Sequence, residues 1–247
     1  NGRFPTMLSV ITLFLIGGAG GLTGSLLGAC ILVALIVLGV LMTFLVSRLL
    51  SATILKGVPS SFTLEMPPYR RPQILKVIVR SIVDRTLKVL GRAVISAAPA
   101  GLLIWVLANV PLSGQTTLLT ALTGFLDPFA RRLGMDGCIL TGFLLGLPAN
   151  EIVVPIIIMT YMARGSLLEV EGVQLMQLFT ANGWTWITAV STLLFSLMHW
   201  PCATTLLTIR KESGSLKWTL LSFLVPTVCG IILCFLFTTA ALFLFPA

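Results

Sequence analysis

Charges along the chain are clustered, and between the clusters lie six charge-free runs: 4–47, 93–126, 137–150, 152–163, 172–209 and 218–247. A helix that is apolar all round has no face for water, so runs of this kind belong to a bilayer, where one crossing takes about 20 residues. The first run is long enough for two crossings. Gly17, Gly18, Gly20, Gly21 and Gly24 place a turn near 20–25, with spans at 6–22 and 26–50. A third span falls at 93–110, with Pro99 as its kink. The stretch 111–136 reads as a loop whose apolar piece, 117–126, is too short to cross.

The pattern then becomes irregular. Within 137–163, Pro148 and Pro155 bracket Asn150 and Glu151, which predicts a broken or re-entrant helix of two halves, about 12 residues each. A mildly acidic connector, 164–183, leads to Trp184 and Trp186, read as an interfacial aromatic belt opening the next span. That span is interrupted at His199-Trp200-Pro201-Cys202. A polar hairpin, Arg210 to Lys217, precedes a last span at 218–244. The expected fold class is all-α: a polytopic helical membrane protein with broken or re-entrant helices.

One polar region has a pattern of its own. Three prolines between Phe62 and Pro72 favour a stiff, extended connector. From Gln73 the period becomes helical. Lys76, Arg80, Asp84, Lys88 and Arg92 form a charged face, and Leu75, Ile78, Val79, Ile82 and Val89 an apolar one. A basic amphipathic helix of this kind lies in the membrane interface or docks a cytosolic partner. The chain therefore divides into 1–56, two spans; 57–92, connector and amphipathic helix; 93–217, the region of broken helices; and 218–247, the last span.

Composition sharpens this reading. Of 247 residues, 57% are hydrophobic and 10% charged, against roughly a quarter charged in soluble domains. Nine of the 16 Lys and Arg lie between Arg48 and Arg92 and three between Arg210 and Lys217, which puts both segments on the cytoplasmic side. An even number of crossings must then separate them, as it does if 137–163 enters and leaves on one side. The net charge of +8 is thus a matter of topology and anionic lipid, with no nucleic-acid module in sight. Five cysteines without CxxC spacing give no disulfide framework and no zinc site, and read as buried, inert thiols. The first residue is Asn1, preceded by no methionine or signal segment, so the chain is expected to be part of something longer.

Candidate chemistry is sparse. No GxxxxGK[ST], HExxH, GxSxG or dinucleotide fingerprint occurs, and no catalytic residue is expected. Glu151 is the acid that stands in the middle of an apolar span; a carboxylate there is expensive unless paired, hydrated or protonated, and such residues are functional candidates. The prolines beside it free backbone carbonyls, as at the midplane ion sites of many transporters. Cys202 follows Pro201 in an apolar run, and a thiolate suits Fe(II), Zn(II) or Cu(I). Glu151 and Cys202 are the candidate metal ligands; His199, the single histidine, Asn150 and Glu65 are candidates for the transport path. A structural role competes for each of the three, and a thiol hydrolase built on Cys202, His199 and Glu151 has no support in the spacing.

At these residues the sequence resembles a known family. Phe62 to Pro72 (FTLEMPPYRRP), the basic helix after it, Gly146 to Glu151, Gly183-Trp184, Pro201-Cys202 and Ile209 to Trp218 occur in the same order in the membrane half of ferrous iron transport protein B (FeoB). The resemblance implies the second of the family's two Gate repeats at about 62–210. The opening residues, Asn1 to Thr6, resemble the stretch after the Pro-Cys of the first repeat. It further implies that a GTP-binding domain with its Mg2+ and helical spacer lies upstream, and that Fe2+ is the transported ion with no cofactor in this segment. Cys202 then matches the cysteine of the Fe(II) path, Glu65 the acid of the ExPPYR element, and Glu151 the acid of a Gly-x-x-Ala-Lys-Glu-like element in which Asn150 replaces lysine. The expected partners are the lipid bilayer, that GTP-binding domain, a small accessory Feo protein and further copies of the chain, in the cell inner membrane. The rival expectations are a Gate-type transporter of a nucleoside or anion, and a membrane assembly subunit that does not transport.

Overall fold

The computed structural model describes residues 4–15, 22–54, 73–113, 116–162 and 172–245. The Pro-rich connector with Glu65 and residues 164–171 of the acidic connector lie outside the described residues; residues 22–25 of the expected turn are already helical, and 172–181 of the connector form a helix. Eleven α-helices dominate those described: α1 (Phe4–Val10), α2 (Leu22–Thr53), α3 (Ile74–Ser81), α4 (Lys88–Asn109), α5 (Leu118–Arg132), α6 (Gly137–Leu145), α7 (Val153–Tyr161), α8 (Gly172–Ala181), α9 (Trp186–Met198), α10 (Ala203–Ser213) and α11 (Leu216–Leu244). The protein is an all-α polytopic membrane protein. Among the described residues, α2, the α9–α10 pair and α11 are long and apolar enough to cross a bilayer.

The chain forms two compact units, one of residues 1–35 and 96–247, the other of residues 36–95. The second unit holds most of α2, then α3, a π-helical stretch Ile82–Leu87 and the start of α4. Helix α3 is amphipathic as its period predicts, and its residues are exposed on every side. The helix expected to stop before the third span does not stop: backbone winding continues through the π stretch into α4. The shift from charged to apolar residues at 92–93 does not coincide with a helix end.

The first unit carries the broken helices. The expected loop 111–136 is mostly helix. Two short antiparallel strands, β1 (Pro111–Ser113) and β2 (Thr116–Thr117), turn the chain, and α5 follows with Pro128 inside it. Thr117 starts α5 by accepting the Thr120 N–H at 3.3 Å, the side-chain cap that an exposed first turn needs. Helix α5 packs on α6, and α6 on α7 as an antiparallel hairpin. Ile104, Ala108, Leu119, Leu145, Ile156 and Met159 join α4, α5, α6 and α7 in one apolar core. Gly137 makes the α5–α6 approach feasible: a side chain there would run into the Thr123 carbonyl and come within 3.0 Å of the Asp127 nitrogen.

The open end of the hairpin is tied by polar groups. Asp136 caps α6 through the Ile139 N–H at 2.7 Å, and its other oxygen accepts from Tyr161 at the end of α7. Tyr161 in turn accepts from the Trp184 indole at 2.7 Å. Asp127 accepts the Gly137 N–H at 3.0 Å and pairs with Arg131 at 2.5 Å. Gly183, at φ 81°, closes α8 with a left-handed turn in which Trp184 N bonds the Phe179 carbonyl at 3.1 Å. That turn points Trp184 inward. It is buried, stacked on Phe179 at 4.3 Å and Phe14 at 5.2 Å, so Trp186 alone keeps the interfacial exposure expected of both.

Helices α9 and α10 both pack on α11, whose buried residues Gly230, Cys234, Thr238 and Ala241 make one narrow stripe. The cysteines are not uniformly buried. Cys234 is, Cys138, Cys202 and Cys229 are half-buried, and Cys30 is exposed on the apolar surface of α2.

Candidate functional site

Helix α9 ends at a break built by four residues. Proline offers no N–H and disfavours helical geometry in the residue before it. His199 takes ψ 172° and Cys202 ψ 159°, both extended, and α10 restarts at Ala203. The His199 side chain folds back on the last turn of α9: Nδ1 lies 2.9 Å from the Ser196 oxygen and 3.1 Å from that of Phe195, which also accepts the His199 N–H. Carbonyls accept, so Nδ1 is the donor in these contacts. The imidazole is 1% exposed, with Phe143 at 5.0 Å, Trp200 at 5.8 Å and Phe195 at 5.9 Å between ring centres. Trp200 stacks on Phe223 of α11 at 5.6 Å. His199 is thus a helix cap locked by aromatic rings.

The tip of the α6–α7 hairpin is irregular in a complementary way. Gly146 ends α6, Pro148 lies in the turn, and Asn150–Ile152 is a single 3-10 turn that leads into α7. Ala149 N bonds the Gly146 oxygen at 3.1 Å, and Ile152 N the Ala149 oxygen at 3.2 Å. The Leu147 carbonyl is taken by a residue from elsewhere: Ala203 N donates to it at 2.8 Å. The first free N–H of α10 and a carbonyl of the hairpin tip therefore complete each other, and the two interruptions meet.

Around this contact stand the residues selected from sequence. Cys202 immediately precedes α10, half-buried, with its Sγ 3.1 Å from the hydroxyls of both Thr204 and Thr205. Asn150 is half-buried, and its Oδ1 is enclosed with no hydrogen-bond partner among the described residues. Glu151 is exposed in the 3-10 turn. Among the described residues no three of His, Cys, Asp and Glu gather as a metal-binding cluster. The meeting point supplies one sulfur, hydroxyl and amide oxygens, and backbone groups.

Two groups of residues escaped the sequence reading. Thr204 and Thr205 read as ordinary helix positions, though two hydroxyls just after a Pro-Cys are a usable signal. The Asp136–Tyr161–Trp184 chain spans elements far apart in sequence, and the local clue was an Asp ahead of a helix start. Away from the candidate spans, burial holds the Asp136 carboxyl above the usual carboxylate value of 3.8, although Tyr161 and the Ile139 amide oppose it. Burial alone would also raise Asp127, but the Gly137 N–H and Arg131 outweigh it and hold that carboxyl low.

These features define a class: all-α membrane proteins in which a helical hairpin with an irregular tip meets a broken helix. The chain belongs to the Gate family, described as nucleoside recognition, whose profile matches residues 90–216. A second profile, the ferrous iron transport protein B C terminus, matches residues 32–85, and the pair marks the chain as FeoB-type. It is similar to the Fe(2+) transporter FeoB of Staphylococcus aureus (strain MSSA476), 30% identical over 84% of this chain and 31% of that protein. It is also similar to the FeoB proteins of Synechocystis, 28% identical over 85% of this chain and 33% of the relative, and of Methanocaldococcus jannaschii, 27% identical over 82% and 30%. The chain spans about a third of the length of these curated relatives. No solved structure matches it.

Proposed function

We propose that the chain is the membrane permease portion of a ferrous iron importer. The observation that carries this reading is the Ala203 N–H to Leu147 carbonyl bond, which joins hairpin tip and helix break. The names of the relatives supply the ion. A partly dehydrated Fe2+ passes this point, with Cys202 as a soft ligand and Glu151 compensating its charge. Asn150 adds an amide oxygen, Glu65 an acid on the connector, and His199 holds the break open. Each contact is weak enough for the ion to leave.

Passage is driven or gated by a GTP-binding domain of the full-length protein, where GTP and Mg2+ reside. The second Gate-type region occupies 93–217, in the cell inner membrane, with a small accessory Feo protein and further copies of the chain as partners. The test is Fe2+ uptake by proteoliposomes containing the full-length protein. Cys202→Ser and Glu151→Gln should each reduce flux about tenfold, ~1.4 kcal/mol in barrier height. Wild-type flux in both would refute the assignment of these ligands. The Gate description favours a second reading, transport of a nucleoside. Uptake of labelled nucleoside by the same vesicles, without Fe2+ uptake, would establish it instead.

A further inference from the structure

Threonine hydroxyls in this protein habitually bond the carbonyl four residues back, as those of Thr208, Thr219 and Thr227 do. Thr204 and Thr205 cannot follow that habit. The carbonyls four residues before them belong to Trp200 and Pro201, outside the helix. Both hydroxyls lie instead 3.1 Å from the sulfur of Cys202. Helix propensity does not ask for this pair, since threonine is a mediocre helix former and Thr205 is exposed.

A second observation lies on the hairpin turn that meets the start of α10. The Asn150 amide oxygen is enclosed without a donor among the described residues, on the turn that bonds Ala203. An acceptor in that condition is costly, and a cation relieves it. With no cluster of three ionisable ligands among the described residues, a passing cation draws on neutral oxygens and water.

We propose that Thr204 and Thr205 are positioning and specificity-determining residues for cation passage. Their hydroxyls hold the Cys202 sulfur in one orientation and set oxygens beside it. The break then presents a mixed sulfur–oxygen edge, matched to a borderline divalent cation in preference to a soft one. This inference rests on the reading of Cys202 as a ligand in the path.

The experiment measures Fe2+ uptake by proteoliposomes of the full-length protein, with Cd2+ as the soft competitor. Thr204→Val, Thr205→Val and the double valine variant keep shape and remove the hydroxyls; the double serine variant keeps the hydroxyls. The KM for Fe2+ should rise about three- to tenfold in the double valine variant, the range expected for one or two lost hydrogen bonds. Its kcat should change little, and Cd2+ should inhibit at lower concentration. Double serine should restore both properties, which a packing role would not do. Thr205→Val alters an exposed position and keeps the test decisive where the double variant does not assemble; its KM should rise about threefold. Unchanged KM and Cd2+ inhibition, or serine no better than valine, overturns the inference and leaves the path reading standing if Cys202→Ala abolishes flux. Wild-type flux in Cys202→Ala overturns the path reading, and the inference with it.

Discussion

Helices α9–α10 and α11 are neighbours of nearly equal length, apolar enough to cross a bilayer, and each contains a proline. One is broken at its proline and the other is not. Pro226 sits inside an uninterrupted α11, as Pro99 and Pro128 do in α4 and α5. Pro201 stands in a four-residue break that is extended at His199 and at Cys202. The difference is whether a second element bonds the backbone. At Pro201 the His199 imidazole lies against the Ser196 and Phe195 carbonyls, and the hairpin carbonyl of Leu147 takes the first amide of α10. Next to Pro226, the Thr227 hydroxyl bonds the Phe223 carbonyl of its own helix.

Burial follows the same division. In an 18-residue stretch of each, 39% of α9–α10 is buried inside the protein against 11% of α11. The broken helix buries more of its length in protein than the unbroken one. A proline permits a break, and partners from a second element make it stable in a membrane.

The contrast can be broken most severely at Gly137, where the hairpin is held against α5. Gly137→Ala forces a methyl into the Thr123 carbonyl and should destabilise the fold by ~3 kcal/mol, read as a large fall in melting temperature in detergent. Gly124→Ala, with open space around it, should leave the melting temperature unchanged or slightly higher. The prolines provide the second test. Pro201→Ala allows α9 to continue into α10 and should lower Fe2+ uptake about tenfold, ~1.4 kcal/mol, whereas Pro226→Ala should transport normally. Equal effects of the two substitutions would remove the distinction drawn between the helices.

A smaller effect sharpens it at the hairpin mouth. Tyr161→Phe removes a donor to Asp136 and should lower stability by about 1–2 kcal/mol near pH 8. The sign follows from the carboxyl. Its folded pKa is raised, so its contribution is most favourable below the usual 3.8 and is lost as pH rises through the raised value. Without Tyr161 the pKa rises further. The melting-temperature deficit should therefore be largest at alkaline pH and shrink as the carboxyl protonates. A deficit independent of pH would show that Tyr161 acts through packing alone.

Much of this architecture was legible in sequence because it depends on local rules. Gly146 to Glu151 announces a re-entrant tip, and Pro201 with its neighbours announces a break. The 29 apolar residues of α11 need only the bilayer to specify them. What was not legible depends on contacts between distant segments. The partner that joins the break at Pro201 to the hairpin, the Leu147 carbonyl, lies more than fifty residues away in sequence, whereas the histidine folded back on α9 is local. The stretch 111–136 reads as a loop because its apolar piece, 117–126, is too short to cross a membrane, yet a helix packed on α6 has no need to cross. Trp184 was assigned to an interface because tryptophans gather there, and a single left-handed turn at Gly183 puts it inside. The hydroxyls beside Cys202 come into view only once the helix start is located.

The central claim is that the ion passes where the hairpin tip meets the broken helix, and protection of Cys202 from alkylation tests it most directly. With Cys30, Cys138, Cys229 and Cys234 replaced by alanine in the full-length protein, a small maleimide would be applied to proteoliposomes under anaerobic conditions at increasing Fe2+. The alkylation rate of Cys202 should fall with Fe2+, reaching half its initial value near the concentration that half-saturates uptake. A Cys202 alkylated at the same rate with and without saturating Fe2+, in vesicles that still transport the ion, would contradict the claim.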